Sequence, residues 1–300
     1  MKKWHSIDDQ LELLKSRGMA VSEPALAKKA LERFGYYRLS GYWYPFKMVT
    51  IDGQVSNNFT AGTQMSEAVN LYIFDKKLRL LALDALERIE LALQVDVAYH
   101  FGRRDAYAHL KPELLQKRFV NKGRYQKWLE RYRGFETRRG RPKFIDHNKL
   151  AYGELPIWVA VQMLDFGALS HLFEMLPMDI QSKISAKYGI SNGKYLIQWL
   201  RSLSQVRNAS AHHERLWNSH IKDRAAIPPQ FIEIARTSDV EMFRYFCLMR
   251  FFLKQLCPQS QWHIRLRDHL HSFPSPANGA VTLQDMGVIE GWENWSLWKG

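Results

Sequence analysis

Arginine and histidine crowd one short stretch of this 300-residue chain, Leu203–Asn218, which reads LSQVRNASAHHERLWN. Within it Arg207 precedes Asn208, and His212 and His213 follow after three small residues. A histidine, with an ordinary pKa of about 6.5, can take or give a proton near neutrality. An arginine carries a permanent planar cation that can grip two phosphate oxygens and stabilises charge as it develops in a transition state. These groups suit cleavage of RNA by internal attack, or equally a polar network that holds a helix end against a bundle. The cleavage needs a base for the 2′-hydroxyl, an acid for the leaving 5′-oxygen and a cation over the phosphorane.

The spacing alone decides little, because Arg104/His109 and Arg215/His220 share it. Only Arg104 and Arg207 are followed directly by a polar residue, and the Arg104 pair lies in a loop-like stretch, FGRRDAYAHLKP. On a helix Asn208 and His212 stand at i and i+4, so Asn208 is expected to orient the imidazole. Arg207 and His212 diverge by about 140° around an ideal helix. Either the helix ends between them or a second copy completes the site. Arg215 and Asn218 are expected to brace the segment. A metal site from His212, His213 and Glu214 is disfavoured, since successive helical side chains splay by about 100°, and neither metal nor cofactor is expected.

The elements that position this segment read mainly as helices. Spacing of Ile7, Leu11 and Leu14 predicts a helix to Arg17, closed by Gly18. The Met1–Asp9 stretch that leads into it is charged, unlike a secretion signal. Pro24 opens a second helix to Phe34, with Leu26, Ala30 and Leu31 on one side. The aromatic run Gly35–Phe46 surrounds Arg38 and reads as an aromatic mini-core in preference to a base-stacking surface. Trp43–Ile51 and Val55–Phe59, around Asp52-Gly53, predict a small β-hairpin. Ser66–Phe101 predicts one long core helix, with Lys76, Arg79, Asp84, Glu87 and Arg88 on a solvated face. Further helices are expected over Pro156–Phe173, Met178–Tyr188, Gly193–Val206, Val240–Cys257 and Gln259–His271. The tail from Phe273 is expected to be irregular and pinned by Trp292, Trp295 and Trp298.

Composition narrows the partners. Forty-three Lys and Arg against 30 Asp and Glu leave a formal charge of +13, which favours a polyanion such as nucleic acid. Between Lys122 and Lys143, nine basic residues interleave with Tyr125, Trp128, Tyr132 and Phe135. Two readings stand there: a surface that tracks an RNA backbone through Arg131, Arg133, Arg138, Arg139, Arg141 and Lys143 and stacks its bases, or a solvated basic insertion. No run of about 18 apolar residues offers a membrane span, so a cytoplasmic protein is expected. Cys247 and Cys257 form no metal-binding or redox motif and read as buried thiols.

Several strings in order along the chain carry a family resemblance. They are Arg17-Gly18, FGYYRLSGYWYPF (Phe34–Phe46), LYIFDKKLRLLALDALERIE (Leu71–Glu90), LPIWVAVQMLDFGALSHLF (Leu155–Phe173) and RNASAHHERLWN (Arg207–Asn218). The chain resembles the Abi-like abortive-infection family, AbiD/AbiF type, whose members look like HEPN-superfamily proteins. The resemblance implies an all-α helical bundle, placed at residues 66–272, while the basic insertion within it at about 103–155 rests on composition alone. A helical and hairpin appendage precedes it at 1–65, and a Trp-rich tail follows at 273–300. It also implies a homodimer whose composite site cuts single-stranded RNA without metal, as a toxin of phage defence. Arg207, Asn208 and His212 would be catalytic, with His213 adjacent. The rival reading is a non-catalytic RNA-binding protein that holds a small structured RNA or a partner.

Overall fold

Helix α4 (Met65–Gly102) runs for 38 residues and nearly every other major element leans on it. No proline and no internal glycine interrupts it before Gly102, and Glu67 reaches back to the Gln64 amide at 2.8 Å to close its first turn. Leu71, Phe74, Leu78, Ala85, Ile89, Leu93 and Val97 are buried along it, as their spacing predicts. The computed structural model describes residues Lys3–Lys299, so Met1 and Lys2 of the N-terminal stretch, and Gly300 of the tail, lie outside the described residues.

Before α4 come α1 (Ile7–Ser16), α2 (Pro24–Phe34) and α3 (Tyr36–Trp43), then strands β1 (Lys47–Val49) and β2 (Val55–Phe59). The strands pair antiparallel, Lys47 with Phe59 and Val49 with Val55, around a turn at Gly53, whose φ is +78°. Trp43 belongs to α3 and not to the hairpin. With Leu39, Tyr42 and Phe46 it is buried, so half of the aromatic run is core, while Tyr37 and Tyr44 are exposed. Leu26 also departs from expectation: α2 buries Ala27, Ala30 and Leu31 and leaves Leu26 in solvent.

After α4 the chain forms α5 (Lys117–Asn121), α6 (Arg124–Thr137) and α7 (Lys143–Tyr152). The single helix expected over Pro156–Phe173 is two: α8 (Ile157–Ala160) and α9 (Phe166–Met175). The break falls at Leu164-Asp165 because Asp165 accepts the Ala168 amide at 2.7 Å, an N-cap that competes with helical continuation. Gly102 lets α8 approach α4, since a β-carbon there would lie 2.9 Å from the Ile157 side chain. Then follow α10 (Met178–Lys187), α11 (Gly193–Ala211), α12 (Ile232–Ala235), α13 (Met242–Leu256) and α14 (Trp262–His271).

Fourteen helices and one two-stranded hairpin make the described residues an all-α fold with a small β-hairpin. Helix α14 is tied to α4 by Trp262, whose indole donates to the Leu81 carbonyl at 2.8 Å. Trp292 and Trp298 pack on Phe243 of α13, and Arg250 beneath them donates to the Leu297 carbonyl at 3.0 Å. Cys247 is buried, but Cys257, at the C-cap of α13, is only half-buried. No helix among the described residues is long and apolar enough to cross a membrane.

Candidate functional site

Helix α11 presents the arginine–histidine segment. Asn192 caps its start, accepting the Lys194 amide at 2.9 Å, and Leu196, Trp199, Leu200, Leu203 and Val206 bury its inner face. The helix was expected to end near Val206, but Ala209 and Ala211 prolong it and it stops only at His212. There the Glu214 amide reaches back to the Ala209 carbonyl at 2.9 Å, and the His213 amide to Ser210 at 3.3 Å. This double closure requires left-handed backbone at His213, whose φ is +59°. It is the one non-glycine residue with positive φ among the described residues.

Arg207 therefore stands within the helix and His212 at its C-cap. Arg207 is half-buried and turns toward α4, with its Nε 3.7 Å from a Glu90 carboxylate oxygen. The two border a cavity of about 420 Å³ with Glu87, Leu91 and Gln94. Burial pushes the Glu90 carboxyl above its ordinary pKa, and Arg207 opposes the shift. Asn208 looks the other way, into a cleft of about 610 Å³ shared with Arg215 and His220. His212 is exposed at the helix end and borders neither cavity. Its amide donates to the Asn208 carbonyl at 2.9 Å, but no side-chain hydrogen bond joins Asn208 to His212 among the described residues, so the expected orienting contact is replaced by a backbone one.

The loop after α11 is clamped by residues that sequence reasoning missed. Asp75, fully buried in α4, accepts the amides of Leu216 and Trp217 and the Tyr42 hydroxyl, the last at 2.6 Å. Arg79 pairs with Asp75 and donates to the Glu214 carbonyl at 3.2 Å, so it is buried structure and not part of a solvated face. Arg38 of α3 donates to the His213 carbonyl at 2.8 Å, and Arg215 donates to the Gly41 carbonyl. His213 is exposed, and Asn218 is half-buried with its side-chain Oδ1 shielded and without a partner among the described residues. The i,i+4 pair Asp75/Arg79, set between Leu71, Phe74 and Leu78, was the available signal for the clamp.

The basic segment divides. Tyr125, Trp128 and Tyr132 lie buried and stacked, Trp128 and Tyr132 at 5.4 Å, so they are core and not a base-stacking surface. Arg133 is held by Glu154 at 2.6 Å and Glu136 at 2.7 Å, Arg131 by Asp165 at 2.6 Å, and Arg141 by Asp146 at 2.6 Å. Arg138, Arg139 and Lys143 are exposed and form no ion pair among the described residues. The second spacing dissolves: Arg104 pairs with Asp179 at 2.7 Å, while His109 is buried against Tyr132 at 3.2 Å. In the third, Arg215 and His220 both line the cleft that Asn208 faces. Among the described residues no group of three or more His, Cys, Asp or Glu is placed to hold a metal ion.

No curated protein and no solved structure gives a match. The model of the family described as Abi-like protein matches residues 29–218, a span that begins in α2 and takes in α3, α4 and α11. It ends at Asn218, just past the clamped loop. The chain belongs to the family of Abi-like proteins.

Proposed function

We propose that this Abi-like protein is a metal-independent endoribonuclease that cuts single-stranded RNA, working as a symmetric dimer of the HEPN type. Membership of the family points to abortive infection, a response to phage. The observation that carries the nuclease reading is the disposition of Arg207 and His212. Arg207 lies within α11, turned to the Glu90 cavity, and His212 is its exposed C-cap. A twofold partner would bring the histidine of one copy to the arginine of the other. Beside the cavity, Leu91, Val95 and Tyr99 of α4 are 54%, 55% and 61% exposed, an apolar stripe suited to such a contact.

In the proposed reaction the 2′-oxygen attacks phosphorus and the bond to the 5′-oxygen breaks. Histidine takes the 2′-hydroxyl proton and a proton is returned to the leaving 5′-oxygen. The products are a 2′,3′-cyclic phosphate and a 5′-hydroxyl. End-labelled RNA should be cut in EDTA, with light scattering reporting a dimer. His212→Ala should slow cutting by roughly 10² to 10⁴ while RNA affinity holds, and Arg207→Ala should lower both. Full activity in His212→Ala, or cleavage strictly dependent on added Mg²⁺, overturns the mechanism. RNA binding without cleavage from pH 6 to 8 would leave a binding protein in its place.

A further inference from the structure

The face of α11 opposite Arg207 carries a groove that the cleavage reading does not use. The cleft of about 610 Å³ lies between α9, α11 and the loop that follows, and a second cavity of about 260 Å³ continues it between α6 and α9. The two share Arg124 and His171. Along this path Arg215 and Arg201 are followed by Arg124, Lys127 and Arg131. The guanidiniums are held in place. Glu174, almost wholly buried, pairs with Arg124 at 2.9 Å and with Arg201, while Asp165 pairs with Arg131 at 2.6 Å.

Positive charge exceeds what these carboxylates neutralise. Lys127 is exposed and forms no ion pair among the described residues, and Glu214 and Asp223 are the other acids at the rim of the larger cleft. The Nε–H of Arg201 is shielded from solvent and has no acceptor among the described residues, which leaves that side chain one bond short. The larger cleft offers serine, glutamine and asparagine side chains, but no Phe, Tyr or Trp lines it. Such a polar and cationic lining suits phosphate and ribose. Burial holds the His171 imidazole below its ordinary pKa, with Glu174 opposing the shift and Arg201, Arg124 and Arg131 adding to it. An uncharged imidazole has one nitrogen free to accept a hydroxyl hydrogen.

We infer that the groove from Arg215 past Arg201, His171 and Arg124 to Arg131 binds the ribose–phosphate backbone of one RNA strand, independent of sequence, and that His171 meets a 2′-hydroxyl. This rests on the RNA reading of the Arg207–His212 segment and adds a backbone-binding path on the other face of α11. Arg124 and Lys127 are binding residues in this account. They take no part in the chemistry.

Anisotropy titrations of labelled oligouridylate and its deoxy counterpart, with the full chain carrying His212→Ala so that the probe stays intact, test it. Arg124→Gln with Lys127→Gln should lower the slope of log affinity against log salt by about 1.4, two single-strand phosphate contacts at about 0.7 each. His171→Gln should abolish the preference for RNA over DNA. Lys127→Gln alone, at an exposed side chain in no ion pair, should take about half of that slope change, which separates lost contacts from lost folding. Unchanged slopes in both Lys127→Gln and the double variant, with His212-dependent cleavage intact in the parent chain, overturn the groove and leave the nuclease standing. Reduced slopes in a parent chain that never cleaves support the groove and remove the nuclease.

Discussion

Asp75 and Trp217 are joined through the Trp217 backbone amide, which donates to the Asp75 carboxylate at 2.7 Å across 142 positions of sequence. Through this contact a residue in the first third of the longest helix sets where the chain goes after the arginine–histidine segment. Burial pushes the Asp75 carboxyl upward, while Arg79, the Tyr42 hydroxyl and the amides of Leu216 and Trp217 favour its charged form.

Asp75→Asn should therefore destabilise the fold by about 3 kcal/mol, because Arg79 would remain buried without a counter-charge. Adding Arg79→Met should recover at least about 1 kcal/mol, since a neutral pair no longer strands a charge. Urea unfolding of the four proteins in this cycle measures both effects. Strict additivity would mean that the two side chains are not coupled.

His213→Gly should raise stability by about 1 kcal/mol, because glycine adopts the left-handed backbone without steric cost. The imidazole is exposed, so little packing is lost with it. A thermal melt compares the variant with the parent. A lower midpoint would show that the side chain contributes more than the backbone strain costs.

Acid should weaken the fold through His109. Burial, aided by Arg133, pushes its pKa down to about 4, whereas an unfolded histidine titrates near 6.5. Between those values the unfolded chain binds more protons than the folded one. Its contribution is thus full above pH of about 6.5 and declines as pH falls toward 4, by up to roughly 3 kcal/mol. His109→Phe should flatten that part of the stability profile, and parallel profiles for variant and parent would contradict a buried neutral imidazole.

On the RNA reading, neutralising Arg138, Arg139 and Lys143 together should reduce the salt slope of RNA affinity by up to about 2. Arg133→Gln should instead lower stability, because Glu154 loses its partner and the buried Glu136 keeps only Lys149 at 3.2 Å. A slope change from Arg133→Gln equal to that of the exposed residues would show that its ion pairs do not hold it.

Much of the helical fold is legible because apolar spacing and uninterrupted helix formers announce α4, α10 and α13 directly. Charged residues misled where tertiary structure supplied what local sequence does not show. Arg79 reads as one more charge of a solvated face until Asp75, the Glu214 carbonyl and the loop amides are brought around it. Tyr125, Trp128 and Tyr132 sit at i, i+3 and i+7, the spacing of a buried helix face, and the arginines between them obscured it. The break at Asp165 was written as an N-cap preceding Phe166-Gly167-Ala168, but the apolar residues on either side mimic one continuous helix. At the candidate site the segment itself could be picked out, whereas the opposed faces of Arg207 and Asn208 depend on what packs on each side of α11.

The tryptophan-rich tail makes the order of synthesis matter. Arg250 is 2% exposed, and its guanidinium donates to the carbonyls of Leu297 at 3.0 Å and Lys299 at 3.4 Å. Glu233 holds the amides of Ser296 and Leu297 in place. A nascent chain that has α13 but not yet Trp292–Lys299 must keep that guanidinium in water, which holds α13 away from its final packing. Without Trp292–Lys299 that guanidinium and the Phe243 face of α13 would stand open to water.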